Sequence, residues 1–138
     1  MPNHFHLIIR EVEEGGTAKF MQRILTAYAK YFNTKYQRTG HVFENLYYAV
    51  HIEDNNQLLY VSAYVHKNPF DLKKNYENYP WSSFSDYSKT NKWGKFLNPE
   101  IILEQFDDEK DYAKWVRETS AKELEAEIEE SLPELLEV

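Results

Sequence analysis

In MPNHFHLIIREVEE, residues 1–14, the segment from His4 to Ile9 alternates polar and apolar side chains and then closes on an apolar run. A strand entering a core has that signature, because successive side chains on extended backbone face opposite ways. On such a strand His4 and His6 share one face and Phe5 takes the other. Two neighbouring neutral imidazoles can chelate one divalent metal. Taken alone, a His-x-His pair is more often solvated or hydrogen-bonded than metal-bound.

Working outward, Glu13-Glu14-Gly15-Gly16 marks a turn and Thr17 is placed to cap the next helix. From Ala18 to Tyr36 the residues Phe20, Ile24, Tyr28, Tyr31 and Phe32 recur at helical spacing, and Thr39-Gly40 ends that helix. Val42 to Ile52 is rich in β-branched and aromatic residues and predicts a second strand. Asp54-Asn55-Asn56 then starts a short helix, Gln57 to Lys67, which Pro69 stops.

On that short helix Tyr64 and Asn68 stand four residues apart, hence on one face. A phenol beside an amide oxygen suits a nucleophile next to a metal ligand. It equally suits a core tyrosine followed by a helix-ending asparagine. Tyr60 lies one turn earlier and competes as a nucleophile. His66 follows Tyr64 by two and is expected to point away from it, and neither His41 nor His66 is assigned a catalytic role.

Beyond Asn75 the character changes. Asn75 to Ser88 holds Pro80, Trp81 and several tyrosines and reads as an ordered loop packed by its aromatics. Short helices are expected at Pro99–Phe106 and Lys110–Thr119. A last one, about Ala121 to Leu132, carries Leu124, Ile128 and Leu132 among glutamates and reads as an acidic appendage. A boundary near Asn91 separates a first domain, 1–90, from an acidic helical extension, 91–138.

Composition narrows the classes. An apolar content of 42% supports a core, and the lack of cysteine removes disulfides and thiolate chemistry. No apolar run approaches the roughly 18–20 residues a membrane span needs, nor does the start look like a secretory signal. No membrane partner is therefore expected, and a cytoplasmic location is. The net charge of −7 is unevenly spread: residues 1–96 hold 12 Lys/Arg against 9 Asp/Glu, residues 97–138 hold 4 against 14. The front of the chain thus permits a polyanionic partner that the overall charge disfavours.

Five short motifs stand in order: MPNHFHLI, YFNTKY, RTGHVFE, YVHKNP and YPWSS. Together they resemble the HUH-type single-tyrosine transposases, most closely the group associated with repetitive extragenic palindromes. The resemblance runs through residues 1–90 and, more loosely, Phe106 to Val116. It implies an α+β fold: a partial ferredoxin-like βαββαβ antiparallel-sheet domain lacking its first strand-helix-strand, plus the helical C-terminal extension. Met1 coincides with what is an internal methionine in that family, so the chain reads as truncated at its N-terminus.

The resemblance also implies a chemistry. His4 and His6 match the metal-binding pair, Asn68 the third ligand, and Tyr64 the nucleophile, with magnesium or manganese as the metal. Metal-dependent cleavage and rejoining of hairpin-bearing single-stranded DNA through a 5′-phosphotyrosine would result, as in DNA transposition. Lys30, Lys35 and Arg38 are the expected phosphate contacts, and exposed aromatics would stack on unpaired bases. The expected setting is a bacterial, nucleoid-associated one, and a homodimer is compatible with it. Leu46-Tyr47-Tyr48 stands where the family shows an Arg-Tyr-Lys run, so two expected cations are absent. The alternatives are a non-catalytic hairpin-binding remnant and an inactive truncated transposase.

Overall fold

Asp54 shows how local chemistry builds the central helix. Its carboxylate accepts the Gln57 N–H at 2.9 Å, a first-turn donor that helix geometry leaves free, and the Gln57 amide oxygen accepts the Glu53 N–H just before the helix at 2.8 Å. The computed structural model describes residues 4–44, 46–68 and 76–132. Among these residues stand six α-helices: α1 (Gly16–Lys35), α2 (Asn55–Lys67), α3 (Phe84–Ser88), α4 (Glu100–Leu103), α5 (Glu109–Glu118) and α6 (Ala121–Ser131). Single 3-10 turns stand at Tyr76–Asn78 and Gly94–Phe96. Pro69, expected to stop α2, and Asn75, the expected start of the aromatic loop, lie outside the described residues.

The expected partial ferredoxin-like antiparallel sheet is not found among the described residues. Among the described residues no strand forms, and helices are the regular structure. His4–Val12 and Leu46–Glu53 run without regular pairing, and Val42–Glu44 bend. The physical reason is that alternation and β-propensity report how side chains suit a half-buried pleat. A strand exists only when a second one supplies the hydrogen-bonded ladder, and an isolated pair is marginal even then.

The described residues divide into two compact units. One comprises residues 1–7 and 50–138, the other Ile8–Ala49. In the larger unit α2 buries Leu58, Val61, Ser62, Ala63 and His66. Leu58 and Ala63 share a core with Phe84 and Tyr87 of α3, Ile102 of α4, Tyr112, Ala113 and Val116 of α5, and Leu124 of α6. Val61 packs with Ile128 and Leu132 in a second cluster. The stripe Leu124, Ile128, Leu132 is thus fully covered, each side chain worth about 1.5–3 kcal/mol of burial.

The capping in this half is explicit. Asp108 accepts the Lys110 and Asp111 N–H groups at the start of α5, and Ser120 with Glu123 forms a reciprocal box at the start of α6. Lys67, at the end of α2, donates to the Thr119 and Arg117 carbonyls beyond and within the last turn of α5. A cation there satisfies carbonyls that the helix cannot.

In the smaller unit α1 buries a single side chain, Met21. Its first turn is held not by Thr17 but by Glu11, whose carboxylate accepts the Gly15 N–H at 3.3 Å and the Thr17 N–H at 2.9 Å. Gly15, with φ 74°, makes the left-handed step into the helix that other residues resist. At the far end Tyr28, Phe32, Tyr36 and Phe43 form a chain of ring contacts, and the Asn33 amide donates to the Gly40 carbonyl. Among the described residues no helix is long and apolar enough to cross a membrane.

Candidate active site

Four residues of the larger unit meet although the sequence separates them. His4 and His6 leave the extended N-terminal segment on the same side, their ring centroids 5.2 Å apart and nearly perpendicular. The His6 ring stands 6.1 Å from the Tyr64 ring, also edge to face. The Asn68 side-chain amide approaches His6 Nε2 at 3.4 Å, at hydrogen-bonding reach. The one-turn separation of Tyr64 and Asn68 along α2 makes this convergence possible, since both face the same way.

The electrostatics suit ligation by neutral imidazole. Burial holds the His6 pKa below its ordinary 6.5, and the charge of His4 pushes it further down. His6 therefore presents a free nitrogen lone pair at neutral pH. Asn68 is 8% exposed and ends α2, its own N–H donating to the Tyr64 carbonyl. An amide turned about its last bond exchanges N–H for oxygen toward the same point. Two imidazoles and one amide oxygen form a neutral donor set, which fits a divalent cation that also carries a phosphate. Among the described residues no cluster of three His, Cys, Asp or Glu side chains offers a rival metal site.

The surroundings of Tyr60 disfavour attack by its phenol. It packs against Trp115 of α5 at 5.7 Å. Partial burial first, then the carboxylates Glu127 and Glu123 of α6, raise its phenol pKa and oppose the phenolate.

Lys30, Lys35 and Arg38 belong to the smaller unit, and all three are exposed. Lys35 donates to the Tyr31 hydroxyl at 3.0 Å and lies over the Tyr31 and Tyr36 rings, while Arg38 lies over Phe32. Lys35 is thus set among exposed tyrosine rings, and Arg38 over a half-buried phenylalanine.

Sequence reasoning missed the network behind the site. His66 is fully enclosed, its Nδ1 2.7 Å from the Tyr112 hydroxyl and its Nε2 2.9 Å from the Ser83 hydroxyl. The rings of Phe84, Tyr87 and Tyr112 surround it. Burial alone lowers its pKa to about 3, so it is neutral. The expectation that it points away from Tyr64 matches this position. Its partners were hidden because Ser83 and Tyr112 lie 17 and 46 residues away, in no local pattern.

The structure thus brings a histidine pair on an extended segment together with a tyrosine and an amide one helical turn apart. In comparison with family models, residues 1–68 match the family described as Transposase IS200 like. Over that stretch, which ends at Asn68 and spans 68 of the 138 residues, the chain is similar to the IS200-like transposases, a family of DNA transposition. Comparison with curated proteins and with solved structures gave no match.

Proposed function

We propose that the chain cleaves and rejoins single-stranded DNA bearing a hairpin, with Tyr64 as nucleophile. The observation that carries this reading is the approach of His6 to both Tyr64 and Asn68. His4, His6 and Asn68 would hold a magnesium or manganese ion. When bound, the ion supplies Lewis-acid polarisation of the scissile phosphate. Imidazoles are unusual ligands for magnesium, which favours manganese as the better activator in vitro.

The residues of the chain do the rest. The Tyr64 oxygen attacks phosphorus and forms the new O–P bond while the phenol gives up its proton. The bond to the 3′ oxygen breaks, and that oxygen takes up a proton and leaves as a 3′-hydroxyl. The 5′-phosphotyrosine conserves the phosphodiester, so a second 3′-hydroxyl reverses the step and joins strands without ATP. Lys30, Lys35 and Arg38 would contact phosphates and the neighbouring tyrosines unpaired bases.

The test is incubation with a hairpin-bearing single-stranded oligonucleotide and manganese, then denaturing electrophoresis. The wild-type chain gives a protein–DNA band that survives denaturation, and Tyr64→Phe gives none. A covalent band that persists in Tyr64→Phe moves the nucleophile elsewhere, with Tyr60 next to be changed. A mobility shift that salt abolishes, with no covalent band, identifies a binding remnant instead.

A further inference from the structure

The family match ends at Asn68, yet most of the core around α2 is supplied by residues after it. Within that core the polar atoms form a single directed chain. Ser62 donates to the Leu59 carbonyl at 2.7 Å, and the Tyr112 hydroxyl donates to Ser62 Oγ at 3.2 Å. The Tyr112 oxygen is then left to accept from His66 Nδ1–H at 2.7 Å, and His66 Nε2 accepts from the Ser83 hydroxyl at 2.9 Å. Each hydroxyl donates once, and only the Nδ1–H tautomer of His66 fits. Ser83 precedes α3 without capping it through its side chain, which leaves its hydroxyl for His66.

We propose that Tyr112 and Ser83 are positioning residues for the candidate active site, locking α2 about its axis through His66 so that Tyr64 and Asn68 face His6. His66 lies two residues from each of them, on the opposite side of the helix. Apolar packing alone tolerates small rotations, because it is nearly isotropic. Two directional bonds to one ring, from α5 and from the segment before α3, do not. The stakes are high for such a site, since a displacement of about 1 Å is enough to cost a reaction roughly a hundredfold. This inference rests on the strand-transfer reading only for its kinetic arm.

The experiment has two arms on the whole chain. In the first, nitrogen-15 spectra of the histidine rings report the tautomer of His66, and the nuclear Overhauser effect between the His6 and Tyr64 rings reports the facing of α2. We expect the Nδ1–H form in the wild type and a clear His6–Tyr64 signal. Tyr112→Phe, which keeps the ring and removes only the hydroxyl, weakens that signal; Ile102→Val, a change in the same core that removes no hydrogen bond, does not. In the second arm, Tyr112→Phe slows formation of the covalent DNA adduct about tenfold at saturating oligonucleotide, with the dissociation constant unchanged.

An Nε2–H tautomer, an undiminished ring signal in Tyr112→Phe, or an equal loss in Ile102→Val overturns the proposal. If Tyr112→Phe does not fold, Ser83→Ala carries the same comparison from the half-buried end of the network. A wild-type chain that forms no adduct defeats the strand-transfer reading, while the first arm still decides the positioning.

Discussion

The two compact units differ in what holds them. Around α2 the larger unit buries side chains from five helices, whereas α1 buries Met21 alone and leaves Tyr28, Tyr31 and Tyr36 exposed. Where α2 is fixed by packing and a buried polar chain, α1 is fixed by local devices at its ends: Glu11 before it, the Phe32 and Asn33 contacts after it. Burial of many apolar side chains contributes far more stability than one or two local caps. The unit that carries Tyr64 and Asn68 is therefore the more heavily packed one, as the proposed site would require.

The largest effect that sharpens this contrast is acid unfolding of the larger unit. His66 has a folded-state pKa of about 3 against an ordinary 6.5, so the unfolded chain binds the extra proton. Its contribution is fully present above pH 6.5 and is lost as pH falls from there toward 3, with a slope of up to about 1.4 kcal/mol per unit. Carried across the whole window this is on the order of 5 kcal/mol, comparable to the whole stability of many domains. Urea midpoints measured by tryptophan fluorescence should fall steadily between pH 6.5 and pH 4. A flat profile over that range would mean that His66 is not enclosed.

Next in size is the removal of packing. Ile128→Ala, at a fully covered position between α6 and α2, should cost about 2–4 kcal/mol in urea unfolding. Tyr31→Ala on α1, at a ring 57% exposed, should cost less than about 0.5 kcal/mol. Equal losses would erase the distinction between the two units.

The same contrast explains what could be read from residues alone. The start of α2 was legible in Asp54-Asn55-Asn56, and α6 was legible in the spacing of Leu124, Ile128 and Leu132, because caps and stripes are local signals. That α6 lies against α2 was not legible, since a stripe shows that a face is buried and not what buries it. The strands expected at His4–Ile9 and Val42–Ile52 failed for a related reason: alternation describes one strand, and a sheet is a property of pairs. Of the site, His4, His6, Tyr64 and Asn68 were readable as motif residues, and their convergence is the structure's addition. The chain from Ser83 to Ser62 gave no signal at all, being assembled from common residues on three separate segments.

The smallest effect lies at the start of α1 and completes the comparison. Hydrogen bonds from Thr17, foremost through its side chain, and from the Gly15 N–H lower the Glu11 pKa below its ordinary 4.5. A carboxylate with a depressed folded pKa contributes above that ordinary value, and its contribution is lost as pH falls through the lowered one. Acid should therefore fray the first turn of α1 without unfolding the helix, in a window lower than that of His66. Glu11→Gln should produce the same fraying at neutral pH, seen as faster amide exchange at Gly15 and Thr17 with Met21 unaffected. Protection at Gly15 and Thr17 that survives Glu11→Gln would show that α1 is held by burial after all, and the two units would then be stabilised alike.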